Sequence, residues 1–284
     1  MNAILKRMSS LVVLALSTGV CAGVLGHRAF NRLVRSDVLA LLARTGAREE
    51  TLITETMLQA LPEPVQRYLR HTGIVGKPIV RTVHLRQKGR MRTGPGRPWI
   101  PLDAEEHYSV QPPGFVWDGT MHLGLLPVGR ARDMYLDGRG HMLVKAASLL
   151  SVVDARGEEM DQGSMMRYLS EMIFFPSAFL AANVSFEAID DSSARVTLTD
   201  HGRSATGTMY VDEAGRLTDF VAQRYRMVDG RCDPETWSTP VTEYGEFEGL
   251  KLPIRGKAVW KLADGDLEYI DVTITELQYD VRTH

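Results

Sequence analysis

The chain has 284 residues, 44% hydrophobic and 24% charged, the balance of an ordinary folded protein with ample length for a sizeable core. Charge is unevenly placed: Lys6, Arg7, Arg28, Arg32 and Arg35 give residues 1–36 five basic side chains and no acid. That leaves 28 basic against all 35 acidic residues for the remainder, an acidic body without the basic stripe that nucleic-acid binding requires.

The first predicted element is apolar. Met8 to Gly26, "MSSLVVLALSTGVCAGVLG", runs 19 residues without a charge, flanked by Lys6-Arg7 and by Arg28, Arg32 and Arg35. About 20 apolar residues span a bilayer, so residues 1–27 are expected to form a transmembrane helix or signal anchor. A cleaved signal peptide ending near Val20-Cys21-Ala22 is the main competing reading, followed by a lipoprotein signal at Cys21 and a buried core helix. Arginines on both flanks leave the orientation open, with a single-pass protein in a bacterial cell membrane and an extracytoplasmic body as the favoured expectation. Cys21 and Cys232 are the only cysteines, which excludes a disulfide scaffold and a cysteine-based zinc site.

Residues 28–56 read as a helical linker, with Phe30, Leu33, Val34, Val38, Leu41 and Leu42 at helical spacing. The body then occupies 57–284. It opens on a short helix with Pro64 in its first turn, Val65, Tyr68 and Leu69 on one face, and Gly73 ending it. From Val80 onward period-two alternation dominates, broken by turn signals such as "QPPG", "DGRG", "DDSS", "DHGR" and "DEAG". Ten to twelve strands joined by short turns imply an antiparallel meander, and no periodic helices separate them as βαβ units would require.

One segment covers that sheet. In "MMRYLSEMIFFPSAFL", residues 165–180, Met165, Met166, Leu169, Met172 and Ile173 form a helical stripe within a predicted helix at 163–182. Pro176 cannot continue the helix, so the chain must kink there and press Phe174, Phe175 and Phe179 into the sheet. The fold class expected is therefore mainly β with α (α+β): a large curved antiparallel sheet under a Pro-kinked helix, plus the N-terminal helix.

A resemblance follows from "LPEPVQRYLRHTGIVG", "KGRMR", "WIPLDAEEHY", "PGFVWDG", "ARDMYLDGRG", "MMRYLSEMIFFPSAFL", "FEAIDDSSARVTL" and "YGEFEGLKLPIRGKAVW", taken in that order. Together they resemble a bacterial protein family of unknown function across residues 57–282, several members of which carry one N-terminal membrane helix. Phe174 and Phe186 stand where that family often has Trp, which keeps the aromatic bulk. The layout also resembles the lipoprotein-carrier fold, in which a curved antiparallel sheet wraps helices and holds an acyl chain. The family has no assigned activity, so it implies no catalytic residue.

Residues that carry chemistry offer no motif. The histidines of the body, His71, His84, His107, His122, His141, His201 and His284, lack HExxH or HxH spacing. Glu105-Glu106 and Glu158-Glu159 are adjacent and point apart on a strand, and Ser148, Ser151 and Ser204 lack a nucleophile elbow. "GRMRTGPGRP" precedes no helix that could cradle phosphate, and "VDEAGR" and "ADGDLE" lack the ligand run of a calcium loop. On a strand Asp133, Tyr135 and Asp137 share a face opposite Arg132, and a buried Asp133 beside Arg224 would be a polar site.

The expectation is thus a membrane-tethered, non-catalytic protein holding an apolar ligand such as a lipid, with no cofactor and no metal. Trp117, Tyr135, Met166, Leu169, Phe174, Phe175 and Phe179 would line the cavity. Two alternatives stay open: a structural or interaction protein with a fully packed core, and an enzyme with a site near Asp133 and Arg224.

Overall fold

Alternation of apolar and polar side chains along the chain is realised as fourteen strands in one antiparallel sheet, seen in a computed structural model. The structure describes residues 2–46, 51–228 and 231–281; side chains are described from residue 22 onward, apart from 228, 231 and 232. Helix α1 (Asn2–Ala43) leads to the short α2 (Glu55–Leu58) and to α3 (Glu63–Thr72). In α3, Val65, Tyr68 and Leu69 are buried on one face, and Gly73 caps the end at φ 76°, the left-handed conformation glycine adopts without strain.

The first strands are β1 (Thr82–Met91), β2 (Ile100–Ser109), β3 (Gly114–Leu123), β4 (Leu126–Leu136), β5 (Arg139–Ala146) and β6 (Leu150–Ala155). Helix α4 (Glu158–Glu171) follows, continued by two 3-10 turns, Met172–Phe174 and Pro176–Leu180. Then come β7 (Val184–Asp190), β8 (Ser193–Asp200), β9 (Arg203–Val211), β10 (Leu217–Val228), β11 (Arg231–Ser238), β12 (Val241–Phe247), β13 (Leu250–Leu262) and β14 (Gly265–Tyr279).

The order across the sheet is β6-β5-β4-β3-β2-β1-β14-β13-β11-β10-β9-β8-β7, with β12 paired to β13 off this path. Two meanders are therefore joined at a central seam, where β1 meets β14 from Val83↔Tyr279 to Met91↔Ile270. The expected ten to twelve strands are exceeded because several long runs fold back on tight turns. Register shifts interrupt several of the pairings, including β1–β14, β3–β4 and β13–β14, and such bulges add twist and bend the sheet into a half-barrel.

The meanders end at β6 and β7, the two free edges of the sheet, and the segment that joins them is α4 with its two 3-10 turns. This segment is a strap across the concave face, with α4 touching β4 and β5 on one side and β9 and β10 on the other. Its break is where Pro176 demands it. The carbonyls released at the break are taken by tyrosines from elsewhere: Tyr68 donates to Ile173 O at 3.1 Å and Tyr279 to Phe174 O at 2.6 Å.

The opposite, convex face of the same strands carries α1. Phe30 and Leu41 are buried there, and two buried arginines of β4 hold the helix. Arg130 donates to Asn31 Oδ1 at 2.9 Å and lies over the Phe30 ring, while Arg132 Nη1 stands 3.3 Å from Asp37 Oδ2. Among the described residues no helix is long and apolar enough to cross a membrane. Most of the Met8–Gly26 stretch, and both cysteines, lie outside the described side chains.

Candidate functional site

Alternation along β2, β3 and β4 decides what faces the strap. Ala104, Glu106 and Tyr108 point inward from β2, Phe115, Trp117 and Met121 from β3, and Ala131, Asp133 and Tyr135 from β4. Pairing puts Glu106 opposite Trp117 and Trp117 opposite Asp133, so these three form one row across the sheet. The Trp117 ring lies flat over Gly119, where an added Cβ would stand 2.2 Å from the indole.

Arg167 of α4 descends onto this row. Its guanidinium sits 5.1 Å from the Trp117 ring and 4.9 Å from the Phe115 ring. Nη1 donates to Asp133 Oδ2, Nη2 to Glu106 Oε1 and Nε to Glu171 Oε1, each at 2.9 Å. Tyr108 donates to the other oxygen of Glu171 at 3.1 Å. The cation that meets Asp133 is thus Arg167, which corrects the pairing with Arg224 expected from the sequence. Arg224 lies over the Trp237 ring at 4.8 Å, with Nη1 3.5 Å from the Tyr269 hydroxyl.

One cation faces three carboxyl groups, two of them, Glu106 and Asp133, fully buried. Burial pushes the Glu106 carboxyl well above the usual carboxylate range, a rise that Arg167 offsets only in part. Burial also works against the charge of Arg167, yet Glu106, Glu171 and Asp133 outweigh it and raise its proton affinity. Glu106 Oε2 is buried without a hydrogen-bond partner. A neutral Glu106 that accepts from Arg167 through Oε1 leaves Arg167 facing the other two carboxyls and removes the worst of the repulsion.

The seven residues predicted as a cavity wall are brought together. Trp117, Tyr135, Met166, Leu169, Phe175 and Phe179 are buried, and Phe174 packs against the same core. Aromatic rings pack among them: Phe175 lies 4.8 Å from Tyr108 and 5.7 Å from Tyr168, and Phe179 lies 6.3 Å from Tyr68, ring to ring. The two best-formed hollows among the described residues lie elsewhere. An open groove of about 450 Å³ runs between α1 and the convex face, lined in part by Val34, Val38, Leu39 and His107. A smaller one of about 90 Å³ lies beside Ser177 and Leu180 of the strap. Among the described residues no group of three or more His, Cys, Asp or Glu side chains could hold a metal ion.

Sequence reasoning missed Glu106, Tyr108, Arg167 and Glu171. A signal existed for three of them: Glu106 falls on the inward parity of β2 between Ala104 and Tyr108, where a charge needs a partner. Arg167 and Glu171 are one helical turn apart, which also marks a pair. Nothing local says that the same arginine satisfies both.

A family of unknown function, DUF6544, matches residues 51–272. The chain belongs to this family. No curated relative matches it. Among solved structures, a LolA-superfamily protein from Nitrosomonas europaea is 11% identical, over 82% of this chain and 96% of that one, with a TM-score of 0.40. A DUF1329 family protein from Desulfovibrio piger is 10% identical, over 79% of this chain and 96% of that one, with a TM-score of 0.44. At these TM-scores the likeness carries no argument about this DUF6544 chain's ligand or partner.

Proposed function

We propose that this protein is a membrane-tethered, non-catalytic binder of an apolar ligand such as a lipid, held between the concave face of the half-barrel and the strap. The observation that carries this reading is the topology of the strap. It joins the two free edges of the sheet, so it can lift without breaking any strand pairing. Its inner surface offers Met165, Met166 and Met172, unbranched side chains that repack readily, beside Leu169, Phe175 and Phe179. Trp117, Tyr135 and Phe174 complete the wall. The tether is the uncharged stretch Met8–Gly26, long enough for a bilayer, in the envelope of a bacterial cell with an extracytoplasmic body.

A second reading is favoured by the packing itself. The side chains under the strap belong to one buried apolar cluster, and the larger of the two hollows lies on the convex side, as in a structural or interaction protein. Photocrosslinking separates the two. The full chain in native membranes is exposed to diazirine-bearing fatty acid or phospholipid, and crosslinked peptides are mapped. Adducts on 165–180 and on 115–117 are expected of the carrier. Adducts confined to residues 8–26 and the outer surface would leave the packed body as the function.

A further inference from the structure

Exposed aliphatic side chains are concentrated at one end of the sheet. The β3–β4 hairpin presents Leu123, Leu125 and Leu126 at 71%, 98% and 68% exposure, with Val128 also open. The adjoining β5–β6 turn and edge strand present Leu149, Leu150, Val152 and Val153, Leu150 at 71%. The two tips are neighbours, since Ala147 N donates to Val128 O at 2.9 Å. Scattered exposed leucines are normal on a soluble surface, but a contiguous set on two projecting tips marks an interaction site.

Helix α1 runs toward those tips. Read from its C-terminal end, Arg44 pairs with Asp137, Asp37 with Arg132, and Asn31 and His27 with Arg130. At the next residue, Gly26 lies so close to the β5–β6 turn that a Cβ there would stand 2.6 Å from Ser148 O. Val24 and Leu25 are exposed beside the tips. The chain upstream is the uncharged stretch that begins at Met8. The tips themselves, 119–130 and 145–153, hold no acidic residue, and Arg28, Arg32 and Arg35 are exposed on α1 just to the body side.

We infer that the β3–β4 and β5–β6 tips sit in the interface of an anionic bilayer, seating the body on the membrane from which α1 emerges. Leucines enter the acyl boundary while arginines of α1 lie at the level of the phosphates. This fixes the half-barrel's orientation, with β3–β6 against the lipid and the far edge β7 away from it. The inference rests on the proposed tether at residues 8–26.

The test uses the full chain with Cys21→Ala and Cys232→Ser, reconstituted in vesicles of phosphatidylethanolamine and phosphatidylglycerol. Single cysteines at Leu125→Cys, Leu150→Cys and Glu213→Cys, the last exposed in the β9–β10 turn, carry an environment-sensitive fluorophore. Blue-shifted emission, quenched by brominated acyl chains at 125 and 150 and not at 213, is the expected result. Water-like emission at 125 and 150 on chains that float with the vesicles overturns the inference and leaves the tether standing. Chains that do not float overturn both. A blue shift that persists without lipid and resists brominated chains assigns the tips to a second copy or another protein, and also overturns it.

Discussion

Arg167 of the strap and Asp133 of the sheet meet at 2.9 Å, Nη1 to Oδ2, over the face of Trp117. The bond crosses from the element that closes the half-barrel to the strand that forms its wall. Glu106 and Glu171 are drawn to the same guanidinium. This guanidinium is therefore one of the polar anchors that register the strap on the sheet, beside Asp161, which accepts from Gly140 N at 2.7 Å. Removing the cation would leave buried carboxyls uncompensated. Arg167→Met should lower stability by about 3–5 kcal/mol, read as the shift in urea midpoint. A loss below about 1 kcal/mol would show that the carboxyls find water or another partner.

Glu106 predicts the opposite kind of result. A carboxyl whose folded proton affinity is raised binds more proton folded than unfolded once pH exceeds the ordinary value of 4.5. Stability then falls as pH rises above that point. Glu106→Gln mimics the protonated group and keeps an acceptor for Arg167. Unfolding at pH 5 and pH 8 should show a flatter profile than the parent, with no loss at pH 8. A variant destabilised at pH 8 by more than about 2 kcal/mol would mean that the ionised carboxylate is what the fold requires.

His107 contributes to the acid side, as do His84 and His141, whose proton affinities burial also lowers. Burial, with the His84 ring 4.6 Å away, brings the His107 imidazole down to about 4. The unfolded chain binds a proton near the ordinary 6.5, so stability is lost as pH falls from that value toward 4. His107→Gln should remove part of this loss. An unchanged profile between pH 6.5 and 4 would place the acid sensitivity elsewhere.

The strap's hydrophobic hold and its backbone hold can be weighed separately. Phe175 is fully buried between Tyr108 and Tyr168, and Phe175→Ala should cost about 3–5 kcal/mol in global stability. Tyr279→Phe removes only the donor to Phe174 O and should cost about 1–3 kcal/mol. Hydrogen exchange after Tyr279→Phe should quicken in 172–180 ahead of the β1–β14 seam. Uniform acceleration across the sheet would mean that the strap does not open as a unit.

Much of this fold was legible because its causes are local. Period-two alternation marks strands whatever they pair with, and Asp137-Gly138 turns the β4–β5 hairpin with both residues at positive φ. Pro176 breaks a helix wherever it stands, and Val65, Tyr68 and Leu69 share a face because helical spacing puts them there. The amino-acid sequence alone determined these elements and the strap's kink. Tertiary structure alone decided that β1 meets β14, that β6 and β7 become free edges, and that Arg167 rather than Arg224 meets Asp133. Those choices join residues far apart in the chain: Val83 and Tyr279 pair, and Arg167 reaches Glu106 61 positions away. Periodicity says which face of a strand is buried, but only the complete register says which buried groups stand opposite one another.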